Sequence, residues 1–100
     1  MSRVAVANRV HRDLDEIWMY IGENRSVRQA DAVVDAIVQA FGKIGDNPGV
    51  GTERAERAGW RSYAVKGYLI MFSRVGDGVE IHCVVHGARD MTAFLDGPQY

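Results

Sequence analysis

The chemistry this chain could perform rests on Arg61, Arg74, Glu80, His82, His86, Arg89 and Asp90. Side chains on an extended strand alternate between its faces, so Glu80, His82 and His86 are expected to share one face. Arg61 falls on a strand two along from them. Such a surface has the groups for metal-free RNA cleavage. His and Glu can take the 2′-hydroxyl proton and protonate the leaving oxygen, and Arg can hold the phosphate. A solvated outer sheet face has the same composition, and that plainer reading is the stronger one on these residues alone.

Other chemistries find less support. His82 and His86 lie four residues apart, roughly 13 Å along a strand, too far to share one zinc ion. Cys83 is the single cysteine, so neither an intrachain disulfide nor a cysteine-based metal site is expected. No glycine-rich loop has phosphate-binding spacing, and Pro48-Gly49-Val50-Gly51 reads as a turn that stops a helix. Ser62 and Ser73 stand in no nucleophile motif. No cofactor is expected.

Charge and composition narrow the classes further. The chain has 100 residues, 47% hydrophobic and 25% charged, which fits one folded domain spanning 1–100. Twelve basic residues (ten Arg, two Lys) meet thirteen acidic ones, for a net charge of −1. Dedicated nucleic-acid binders are usually clearly basic, so strong direct binding to nucleic acid is not expected. No apolar run approaches the roughly 18 residues of a membrane span. No signal-peptide pattern follows Met1, and a reducing cytoplasm is the expected compartment.

The elements that must position these groups follow from periodicity. Residues 3–7 read as a first strand. Asn8 is placed to cap a helix whose apolar stripe is Val10, Leu14, Ile17, Trp18 and Ile21. Ser26 with Gln29 forms a capping box for a second helix, striped by Ala30, Val33, Val34, Ile37, Phe41 and Ile44. Their short linker implies an antiparallel hairpin. Trp18 and Phe41 are expected in the core. Residues 50–59 read as a loop, with room for one helical turn. Strands are expected near 60–66, 68–74 and 79–86, divided by Gly67 and by Gly76-Asp77-Gly78. In the last strand Val79, Ile81, Cys83 and Val85 should face the core. A short helix is expected from Arg89 to Leu95.

The natural solution is an α+β fold. An N-terminal strand precedes an antiparallel helical hairpin, which packs on one face of a three-stranded antiparallel meander, leaving the other face partly open. The aromatics Trp60, Tyr63, Tyr68 and Phe72 then either pack under the helices or form an aromatic surface on the sheet.

With these residues in order, the chain resembles the ParE branch of the RelE/ParE toxin superfamily. The likeness runs over roughly residues 4–95. It rests on Asp13-Leu14-Asp15-Glu16-Ile17-Trp18 with Tyr20-Ile21, on Ala30, and on Asn47-Pro48-Gly49 with Gly51. Further along, it rests on Arg61, Tyr68-Leu69-Ile70-Met71-Phe72-Ser73-Arg74-Val75 and Val84-Val85-His86-Gly87-Ala88-Arg89-Asp90.

The resemblance implies a RelE/ParE-like fold and a growth-inhibiting toxin, held in a hetero-oligomer by a ParD-like antitoxin encoded beside it. ParE-like members act on DNA gyrase and trap it on broken DNA, whereas RelE-like members cut mRNA in the ribosomal A site. If the chain were a nuclease, Arg61, His86 and Arg89 would be its catalytic candidates. Lysines are confined to Lys43 and Lys66, and the last ten residues hold neither Arg nor Lys. Together with the near-neutral charge and the His86-to-Asp90 ending, this favours gyrase over mRNA. On that reading no catalytic residue is required. Arg89, Met91, Phe94 and Leu95 are expected to meet the target, and Trp60, Tyr63 and Tyr68 the antitoxin. A non-toxic interaction module of the same fold is the remaining alternative.

Overall fold

The computed structural model describes residues 3–87. The order is β1 (Val4–Val6), α1 (Asn8–Asn24), α2 (Val27–Asp46), β2 (Thr52–Glu53), β3 (Trp60–Val65), β4 (Tyr68–Val75) and β5 (Gly78–His86). The strands form one sheet in the order β1-β5-β4-β3-β2. All neighbours are antiparallel except β1, which pairs parallel to β5 through Val4↔Val79, Ala5↔Glu80 and Val6↔Ile81. The expected α+β architecture is the one observed. The expected helix from Arg89 to Leu95 lies outside the described residues.

Each helix starts where local chemistry permits it. The Ser26 hydroxyl accepts from the Gln29 N–H at 3.1 Å, satisfying one donor that the first turn of α2 leaves open. At α1 the expectation changes. Ala7 occupies the cap position with no side-chain bond, and Asn8 is already helical.

The two apolar stripes meet over one sheet face. Val10, Ile17, Ile21, Ala30, Ile37, Phe41 and Ile44 are buried there with Ile70, Phe72, Val79, Ile81 and Val84, and Leu14 packs partly buried at the margin. Trp18 departs from its expected place. It is 37% exposed, and its indole N–H donates to the Asp31 carboxylate on α2 at 2.8 Å. On the helix it stands at the edge of the stripe that buries Ile17 and Ile21, and the indole N–H ties the two helices together from outside the core.

Strand β5 also departs from simple alternation. Met71 pairs with Cys83 while Phe72 pairs with Ile81, so His82 is an extra residue, a β-bulge. Faces swap beyond it. Val79, Ile81 and Val84 join the helix-side core, whereas Cys83 and Val85 join Met71, Leu69 and Trp60 on the outer face. Cys83 and Val85 therefore do not face the helices as expected. The outer face is also less open than expected, since Met71, Cys83, Val85 and Ser62 are all buried.

The stretch 50–59 contains no helical turn. Instead Thr52 and Glu53 add a two-residue strand, paired with Ser62 and Arg61. Gly51 makes this approach possible. Its φ is +83°, and a Cβ there would collide with the Ser62 carbonyl.

Candidate functional site

Asp13 on α1 is drawn into the fold. Beyond Ile81, β5 has no β1 partner, and its Val84 N–H donates to the Asp13 carboxylate at 3.0 Å. Arg9 one turn earlier holds the same carboxylate at 3.1 Å. This acid–base pair completes a strand edge. Its sequence signal, an i,i+4 Arg–Asp pair, looks like an ordinary helix-surface pair.

Arg61 has a comparable task. It rises from the start of β3 toward the loop after α2. Its Nε donates to the Val50 carbonyl at 3.0 Å, and one terminal nitrogen donates to Gly49 and Gly51 at 2.7 and 3.1 Å. A guanidinium satisfied by three carbonyls is a loop clamp, with few donors left for phosphate. His86 stands elsewhere. It ends β5 opposite Tyr68, which itself pairs with Val65. That places it about 13 Å along the strands from Arg61 and two strands across. The two nuclease candidates are not one site, and the third, Arg89, lies outside the described residues.

The expected shared face of Glu80, His82 and His86 is likewise broken by the bulge. His82 turns to the outer face, where its ring stacks flat on Trp60 at 4.1 Å and its Nε2 meets the Ser73 hydroxyl at 2.7 Å. Arg57 lies over the Trp60 ring, 4.3 Å from its centroid. His86 points to the helix side instead, edge-on to Tyr68 at 5.5 Å.

Burial lowers the His82 pKa from 6.5, with Arg57 adding to the effect and Glu80 opposing it. Below pH 6.5 the unfolded chain therefore binds more protons at this position than the native one. The contribution is complete above pH 6.5 and is lost as the pH falls through the lowered native value. The urea midpoint should drop between pH 7.5 and pH 5 more steeply in the wild type than in His82→Gln. Equal slopes would mean that His82 takes no part. On the same face, burial pushes the Cys83 thiol up to about 12, which leaves it a packing group.

The three aromatics expected to meet an antitoxin do not share a surface. Trp60 belongs to the outer face, while Tyr63 and Tyr68 are half-buried on the helix side. Tyr68 and His86 help to line a cleft of about 480 Å³ between the hairpin bend and the β3–β4 turn, with Tyr20, Asn24, Arg25 and Lys66. Sequence reasoning missed this cleft because its residues come from four separate elements. Met91, Phe94 and Leu95 lie outside the described residues.

No group of His, Cys, Asp or Glu among the described residues is arranged to hold a metal ion. No helix among them is long and apolar enough to cross a membrane.

Residues 4–91 match the family described as the ParE toxin of the type II toxin–antitoxin system parDE. The chain belongs to the ParE toxin family. Two relatives come from Caulobacter vibrioides. Toxin ParE1 is 33% identical over 96 residues, 95% of this chain and 99% of its own length. Toxin ParE3 is 29% identical over 96 residues, 95% of this chain and 96% of its own. A solved chain of the chromosomal ParDE system from P. aeruginosa superposes with a TM-score of 0.77. It covers 86% of this chain and 96% of its own, and at 19% identity that likeness supports the ParE fold. The protein is thus a ParE toxin of a type II toxin–antitoxin system, a role that implies an antitoxin partner.

Proposed function

We propose that this ParE-family toxin stops growth by poisoning DNA gyrase, and that a ParD-like antitoxin encoded beside it silences it in a cytoplasmic hetero-oligomer. The whole of 1–100 acts as one toxin domain. The observation that carries the target is the separation of Arg61 from His86, with Arg61 already clamping three carbonyls. A metal-free nuclease needs its proton-transfer and phosphate-holding groups within reach of one phosphodiester. The net charge of −1 also suits a protein target better than ribosomal RNA.

Target contact is assigned to Arg89, Met91, Phe94 and Leu95, because apolar anchors dominate protein interfaces. Antitoxin contact is assigned to Trp60, Tyr63 and Tyr68. Since these stand on two faces of the sheet, a partner segment touching all three has to wrap around the toxin.

The test is purified toxin with gyrase and supercoiled plasmid, run beside ribosome-dependent mRNA cleavage. Cleaved plasmid or lost supercoiling is expected, with intact mRNA. His86→Ala, checked for folding, should keep toxicity within a few-fold, whereas a nuclease using His86 would lose roughly 10²–10⁴ in rate. Cut codons with unaffected gyrase would overturn the reading.

A further inference from the structure

The cleft at the hairpin bend has a one-sided charge. Among the described residues its lining includes Arg25 from the end of α1, Lys66 from the β3–β4 turn and His86 from the end of β5, and no Asp or Glu. In a chain with thirteen acids and twelve bases, a cleft of this size with no carboxylate among its described lining residues is a local departure from the average. Neither Arg25 nor Lys66 has an ion pair among the described residues. His86 lines the cleft, and its Nδ1 is buried with no hydrogen-bond partner among them. Unpaired buried polar atoms are uncommon and costly in folded chains. Tyr20, 54% exposed, and Tyr68 give the same cleft apolar ring surface.

The turn that delivers Lys66 adds a second argument. Lys66 and Gly67 both have positive φ, +54° and +84°, in a two-residue hairpin between Val65 and Tyr68. Such turns favour Asn-Gly, because a long side chain in the left-handed region is strained. A lysine held there, at the cleft mouth, costs stability that Asn would not.

We infer that this cleft seats an acidic segment of the antitoxin, with a carboxylate between Arg25, Lys66 and His86 and a neighbouring apolar side chain against Tyr20 and Tyr68. The inference rests on the toxin–antitoxin reading above and gives that partner's contact a chemistry. Charge complementarity favours this occupant, since an uncharged helix would leave both cations without a counter-charge.

The probe is the adjacent-gene antitoxin, expressed alone and labelled, titrated with wild type, Lys66→Asn and the double variant Arg25→Gln/Lys66→Asn. Lys66→Asn should hold or raise the urea midpoint, because Asn suits the turn, so weaker binding cannot come from unfolding. Its affinity is expected to fall about threefold to tenfold, and that of the double variant by more than about tenfold. The salt dependence of the association rate should shrink in step. Tight wild-type binding that both substitutions leave unchanged would overturn this inference while leaving the toxin–antitoxin reading intact. No wild-type binding would overturn both. If the chain's own residues 88–100 occupied the cleft, the double variant would lose stability by itself and keep its antitoxin affinity, and the inference would again fail.

Discussion

Phe41→Ala is expected to destabilise the toxin by about 3–5 kcal/mol, the range for truncating a buried aromatic. Phe41 is 8% exposed and sits in the helix-side core, in the half of α2 that also buries Ile37, Ala40 and Ile44. Its removal takes away transfer energy and leaves a cavity that a sheet on one side and a helix on the other cannot close. Small domains hold only about 5–15 kcal/mol in total, so the variant should be largely unfolded under mild heating. Urea unfolding followed by circular dichroism measures the loss. A change below about 1 kcal/mol would show that Phe41 is not a core residue.

Gly51→Ala should cost about 2–5 kcal/mol, more than a methyl group on a loop ordinarily does. Two penalties add at this position. The φ of +83° is unfavourable for any residue with a Cβ, and that Cβ would meet the backbone carbonyl of Ser62, which has no flexible end to move away. The Gly51 carbonyl also accepts from Arg61, so its displacement loosens the clamp on the loop after α2. Gly59→Ala is the internal reference. Gly59 has nearly the same φ, +82°, with open space around it, so it should show only the conformational cost of about 1–2 kcal/mol. Equal losses at the two sites would mean that the Ser62 contact is relieved at no cost.

Much of this architecture was legible from the sequence, and the exceptions have physical causes. The stripes on α1 and α2, the Ser26 cap and the glycine-marked turns are local signals, and the structure follows them. Trp18 was misplaced because periodicity counts it as apolar while its N–H prefers Asp31. Alternation on β5 failed at His82, since one inserted residue inverts every later side chain and leaves no trace in composition. The separation of Trp60 from Tyr63 and Tyr68 follows from strand parity once β3 is placed. The fate of Arg61 does not, because its three acceptors are carbonyls that every residue possesses. The cleft was the least legible feature, being assembled from chain segments as distant as Tyr20 and His86.

The parallel pairing of β1 with β5 also governs when this molecule can exist. Val4 hydrogen-bonds into the sheet beside Val79, and Gly78 is needed there because a Cβ would strike the Arg3 carbonyl. An early strand, β1, is thus held by one that follows about 75 residues later, β5, as in Val4↔Val79. At about 5–20 residues per second of synthesis, β1 waits roughly 4–15 s for its partner. The helical hairpin, built from local contacts, can form in that interval, whereas closing the sheet depends on a pairing across nearly the whole chain. Translation therefore delays closure of this sheet until β5 has emerged, and an antitoxin already present in that interval would meet a toxin whose sheet is still open.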